Sequence, residues 1–169
     1  MWIIEDIIYE LPNGGRLKLS SEALEQMSKY IQDERKKTEG GGVILGRFII
    51  ETNDIVIDFV TEPMPGDKRS RTRFKRGVKN HQAIIDKYWY ISNGTINYLG
   101  EWHTHPEPIP NPSFIDVKSW KKMLSYDKFD SQCLYYIIIG TNEIGVWEGD
   151  RKALKFIQLK KIKTENNNG

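Results

Sequence analysis

Glu101-Trp102-His103-Thr104-His105-Pro106 runs through a proline-rich turn into Asn111-Pro112-Ser113-Phe114-Ile115-Asp116, and these residues decide how the chain is read. The first run closes an alternating stretch that begins at Ile96-Asn97-Tyr98-Leu99, the pattern of a strand. Side chains two apart on a strand share a face, so His103 and His105 can reach one ion. Ser113 stands where a helix N-cap belongs, ahead of Val117, Trp120, Met123 and Leu124. A helix starting there carries Asp116 in its first turn. Two imidazoles and one carboxylate suit zinc, with the fourth position left open for water as in catalytic sites. The pattern differs from the helical i, i+4 pair of His-Glu-x-x-His enzymes. One zinc ion per chain, held by His103, His105 and Asp116, is expected.

Working outward, residues 2–9 and 16–19 flank Pro12-Asn13-Gly14-Gly15 and read as a hairpin. Ser20 is placed to cap a helix over about 21–33, with Leu24, Met27 and Ile31 facing the core. Glu39-Gly40-Gly41-Gly42-Val43-Ile44-Leu45-Gly46 leads into a strand over about 42–50, and Asn53-Asp54 turns the chain into another over about 55–60. Residues 61–77 lack periodicity and are densely basic, which predicts a long loop or insertion. A helix is predicted over 78–90, with Ile84, Ile85 and Tyr88 on one side, ended by Ser92-Asn93-Gly94. Strands are predicted over about 133–139, 143–148 and 153–160, before a polar, disordered tail at 163–169. Helices and hairpins intermix without regular βαβ alternation. The expected class is α+β around a mixed, mostly antiparallel sheet, with one domain over 1–162.

Composition narrows the function classes. Lys plus Arg number 25 against 23 Asp plus Glu among 169 residues, so net charge argues for no polyanionic partner. The lone Cys133 can form no internal disulfide and sits in an apolar run. Acids interrupt Met1-Trp2-Ile3-Ile4-Glu5-Asp6 before a signal-length apolar stretch develops, and no run reaches membrane-spanning length. The expected location is the cytoplasm, with no membrane partner.

Glu39 with its Gly-rich run, then His103-x-His105, Ser113 and Asp116, resembles the JAMM motif of the JAB/MPN zinc metalloproteases. The order of elements along most of the chain is similar too. The resemblance implies a single-domain, cytidine-deaminase-like JAB/MPN fold and a peptidase or isopeptidase that cleaves after the tail of a ubiquitin-like or conjugated protein. The stretch Tyr98 to Pro106 with Pro112-Ser113 looks closest to small bacterial JAB enzymes of antiphage operons. That implies operon-encoded activating and conjugating enzymes and a cyclic-nucleotide synthase as partners, as in CBASS defence. A Bil-type ubiquitin-like deconjugase, a peptidase trimming sulfur-carrier proteins, and a non-catalytic MPN or nucleic-acid-binding module are the alternatives.

Zinc lowers the pKa of bound water from 15.7 toward about 7. Glu39 is the candidate base, taking that water's proton and returning it to the departing amine. Ser113 has two compatible uses, since its hydroxyl can donate to an oxyanion while its oxygen caps the helix; the resemblance favours the first. Lys68, Arg69, Arg71, Arg73, Lys75 and Arg76 form a dense basic run. Arg69, Arg71 and Arg73 are candidate contacts to an acidic partner surface, although such runs are commonly solvated loops. Nucleic acid is disfavoured, because Phe74 is the single aromatic interleaved with the cations. His81 is expected on the surface, Glu101 on the strand face opposite His103, and Glu107 in a loop without a role.

Overall fold

The apolar runs of the chain become strands of one large sheet. The computed structural model describes residues 4–129 and 131–162; the start of the first predicted strand and the tail at 163–169 lie outside them. In chain order the elements are β1 (Ile7–Glu10), β2 (Arg16–Leu19), α1 (Ser21–Ser28), β3 (Gly41–Ile49), β4 (Asp54–Val60), β5 (Lys68–Ser70), β6 (Arg73–Lys75) and α2 (Val78–Ile91). There follow β7 (Asn97–Thr104), α3 (Phe114–Tyr126), β8 (Cys133–Ile139), β9 (Ile144–Asp150), β10 (Lys155–Gln158) and β11 (Lys160–Lys161). Nine strands join in the order β10-β9-β8-β7-β3-β4-β2-β1-β11. Among the described residues, only the β2–β4 and β7–β8 pairings are parallel. The sheet is therefore mixed and mostly antiparallel, and the class is α+β.

Alternation along β8 sorts the core. Tyr135, Ile137 and Ile139 face the layer that holds Ala23, Leu24 and Met27 of α1. Leu134, Tyr136 and Ile138 face Trp120 and Leu124 of α3. Trp120 stacks on Tyr136 with ring centroids 4.5 Å apart, which fixes α3 against the sheet. Truncating such a buried aromatic to alanine typically costs about 3–5 kcal/mol.

One irregularity in β7 aims the histidines. Ile44 pairs with Gly100 and Leu45 with Tyr98, leaving Leu99 as an extra residue. Gly100 has φ +147°, and a Cβ there would lie 1.7 Å from the Tyr135 carbonyl oxygen. Only glycine accommodates this bulge. Tyr98 packs on the α3 face and Leu99 on the α1 face. Strict alternation from Tyr98 would turn Trp102 and Thr104 toward α3. The bulge shifts the phase by one, so Trp102 enters the α1-side core and His103 turns toward α3.

Three sequence-based expectations need correction. The helix predicted over 21–33 stops at Ser28, with Lys29 as its C-cap. Beyond it, Gln32 is buried and its side chain bonds the carbonyls of Lys37 and Arg71 and the Thr104 hydroxyl, which holds the segment off the helical path. Within 61–77, β5 and β6 form a two-stranded hairpin across Arg71-Thr72. Its turn has none of the Asn-Gly type residues that signal a hairpin, and its strands lack an apolar face. His81 is fully buried rather than on the surface. Its Nδ1 lies 2.7 Å from the Thr61 hydroxyl and its Nε2 2.9 Å from Asp67, a bonded set that ties the insertion's base to α2.

Candidate active site

His103 and His105 end β7 and enter the following turn, and Asp116 lies one turn into α3. His103 Nε2 lies 3.0 Å from His105 Nε2 and 3.3 Å from Asp116 Oδ1; His105 Nε2 lies 3.1 Å from Asp116 Oδ2. Ligand atoms held about 2.0–2.1 Å from one tetrahedral ion stand about 3.3 Å apart. One ligand atom from each of the three side chains lies within 4.8 Å of the other two, close enough to meet at one metal ion, and they are the one such cluster among the described residues.

Each side chain is held from behind. Glu107 Oε1 lies 2.9 Å from His105 Nδ1, fixing the tautomer that leaves Nε2 free. Sequence reading gave Glu107 no role, though its position two residues past His105 is a usable signal. Trp120 meets the His103 ring edge-on at 6.5 Å. Asp116 and Ser113 form a reciprocal capping box: Asp116 N–H donates to Ser113 Oγ at 3.1 Å, and Ser113 N–H donates to Asp116 Oδ2 at 2.8 Å. Ser113 Oγ accepts there, so its hydroxyl hydrogen remains available to the cleft.

The register brings Glu39 in from the far side. Gly41 pairs with His103, while Gly40 and Thr104 exchange N–H bonds to each other's oxygens. Glu39, one residue earlier, is buried and lines the same cleft as His103, Ser113 and Asp116, a space of about 310 Å³. Burial pushes its carboxyl up to about 7; nearby His103 and His105 oppose the rise and Asp116 adds to it. A carboxyl near neutrality is matched to proton transfer at neutral pH. Burial acts against charge on His105, but its bonds to Asp116 and Glu107 raise it to about 9. Burial likewise opposes the Asp116 carboxylate, and the bonds from His103 and His105 outweigh it, holding the group well below the usual range. A bound divalent cation displaces the imidazole protons.

The basic hairpin covers the cleft's other side, but its three arginines differ. Arg73 lines the cleft. Arg69 turns back, donating Nε–H to the Glu39 carbonyl at 2.7 Å with its guanidinium over Tyr30. Arg71 donates to the carbonyls of Glu34 and Arg35. Glu101, expected on the opposite face, lines the cleft beside His103, because residues two apart on a strand share a side. Its carboxylate accepts from Arg76 Nε at 3.1 Å, and it does not join the His103–His105–Asp116 cluster. Arg76, in the cleft wall, was not separated from the basic run by sequence reading.

Residues 20–153 match the model of prokaryotic homologs of the JAB domain. The chain belongs to this JAB family. Relatives that span most of it are named "CD-NTase/cGAS isopeptidase". The Pseudomonas aeruginosa relative is 38% identical, covering 78% of this chain and 82% of the relative. Those of Escherichia coli and Vibrio cholerae are 33% and 30% identical, covering 85% and 94% of this chain and 88% and 97% of the relatives. A solution structure of a protein from Desulfitobacterium hafniense shares the fold at a TM-score of 0.58 and 20% identity, over 83% of this chain and 87% of that one. The chain is a JAB-type hydrolase of the isopeptidase class, and its family points to a metal ion at the site. No helix among the described residues is long and apolar enough to cross a membrane.

Proposed function

We propose that this JAB enzyme is a zinc-dependent isopeptidase of an antiphage CBASS system, releasing a cyclic-nucleotide synthase from proteins to which its C-terminal tail has been joined. The observation that carries the chemistry is the convergence of three metal-binding atoms with Glu39 and Ser113 in one cleft. The target is supported by the shared name of relatives that match 78–94% of the chain.

His103, His105 and Asp116 would hold the zinc. When bound there, it supplies Lewis acidity and makes water available as a nucleophile near neutral pH. Glu39 accepts the water's proton on its carboxylate and delivers it to the departing lysine amine, so the acid formed in the first step is consumed in the second. The Ser113 hydroxyl donates to the carbonyl oxygen as it becomes an oxyanion, from the positive end of α3. Glu107 holds His105 in one tautomer. Arg73, at the cleft wall, contacts the conjugated protein, while Arg69 and Arg71 act on the chain itself.

The test uses a synthase conjugated by its own operon's activating and conjugating enzymes. Zinc-loaded protein should release the free synthase, chelated protein should not, and elemental analysis should give one zinc per chain. Cleavage of a ubiquitin-like or sulfur-carrier fusion, with the synthase conjugate left intact, would reassign the target. Full activity without metal would overturn the mechanism.

A further inference from the structure

Gln32 lies in the segment between α1 and β3, is 2% exposed, and belongs to no reacting set. Its amide nitrogen donates to Lys37 O at 3.1 Å and to Arg71 O at 2.8 Å, the latter in the turn of the β5–β6 hairpin. Its amide oxygen accepts from the Thr104 hydroxyl at 2.9 Å. Thr104 stands between His103 and His105, and the same hydroxyl oxygen accepts from Gly40 N–H at 2.9 Å. One buried amide therefore joins the hairpin, the histidine strand and the residue after Glu39.

The hairpin grips Glu39 a second time. Glu39 N–H donates to Ser70 O at 2.8 Å, and Arg69 Nε–H donates to Glu39 O at 2.7 Å. Both backbone polar groups of Glu39 are thus held by β5, and the next residue is held by Thr104. A carboxylate that must carry a proton between two partners loses rate steeply when misplaced. No regular element on Glu39's own segment supplies this precision, since residues 29–40 contain no helix or strand.

We propose that Gln32 and Arg69 are positioning residues, which lock the basic hairpin onto the backbone of Glu39 and thereby fix its carboxylate over the site. The inference rests on Glu39 being the proton carrier. It also changes what the basic insertion does: two of its arginines organise the site rather than recruit a partner.

Gln32→Met keeps the length of the side chain and removes all three bonds. The measurements are steady-state kinetics on a protein conjugate, zinc content, and amide hydrogen exchange on metal-free and zinc-loaded protein. Expected are an about 10- to 100-fold loss in kcat with KM little changed, one zinc retained, and faster exchange at Glu39 and Gly40 while β8 stays protected. Arg69 gives an independent arm should Gln32→Met fold poorly. Arg69→Met should lower kcat similarly, and Arg69→Lys, whose ammonium can still donate to the Glu39 carbonyl, should recover much of it. Unchanged kcat in Gln32→Met and Arg69→Met, unchanged exchange at Glu39 and Gly40, or no rescue by lysine would overturn the proposal. Glu39→Gln, assayed alongside, separates the two ideas. If it is inactive while the positioning variants are normal, only the positioning role fails; if it is active, the proton-carrier reading fails.

Discussion

Glu39→Gln should make the metal-free protein more stable at alkaline pH while removing its activity. Burial, with a contribution from Asp116 and against His103 and His105, holds this carboxyl up at about 7. An unfolded glutamate releases its proton near pH 4.5. Between these values the folded state keeps a proton that the unfolded state has lost, so stability falls as pH rises through the window. Each pKa unit corresponds to about 1.36 kcal/mol, which makes the full penalty above pH 7 about 3 kcal/mol as an order of magnitude. Glutamine cannot ionise and escapes it. Urea unfolding of metal-stripped parent and variant, from about pH 4 to 8, reads the effect as a difference in which the groups that do not face Glu39 cancel. The variant should gain about 3 kcal/mol on the parent across that range, while kcat of the zinc-loaded variant falls ~10²–10⁴-fold with zinc still bound. A stability difference that does not change with pH refutes the burial argument. Loss of zinc makes Glu39 a ligand and refutes the proton-carrier role.

Asp116→Ala removes both a ligand oxygen and the acceptor for Ser113 N–H, so zinc content, rate and α3 stability should all drop, the last by about 1 kcal/mol in chemical unfolding of the metal-free protein. Ser113→Ala should lower kcat by about 10²-fold with little change in KM, and its capping loss should appear as a similar ~1 kcal/mol in the same unfolding assay. Unchanged kcat would confine Ser113 to capping. Arg73→Glu should slow cleavage of a full protein conjugate, most at low salt, and spare a short peptide substrate; equal kinetics on both would return Arg73 to the solvent.

The motif-bearing parts of the molecule were legible because their signals are local. His103 and His105 follow from strand alternation, Asp116 from the N-cap at Ser113, and β8 from an unbroken apolar run. The resemblance added Glu39, whose place opposite β7 no local pattern gives. What remained hidden depends on distant partners. Gln32 looks like any polar residue after a helix until the Arg71 carbonyl and the Thr104 hydroxyl are brought to it. His81 looks like a surface residue until Asp67 and Thr61 close over it. Arg69 and Arg71 read as a partner-facing patch because charge density in a sequence does not say which backbone carbonyls stand nearby. Glu107 lay within reach of local reasoning, as the acid that orients a candidate ligand.

The separation of the working parts along the chain has a consequence for assembly. His103, His105 and Asp116 are close neighbours in sequence, joined by one short turn, so closing the loop between them costs little entropy. Glu39 reaches them through the β3–β7 pairing and the hairpin's hold on its backbone, with the insertion and α2 intervening in sequence. Chain segments near one another find their contacts sooner than distant ones. The ligand cluster therefore asks for a local closure, whereas the proton carrier asks for a long-range pairing. Ligand set and proton carrier thus depend on different parts of the fold, the first on one turn and the second on the hairpin and the first half of the sheet.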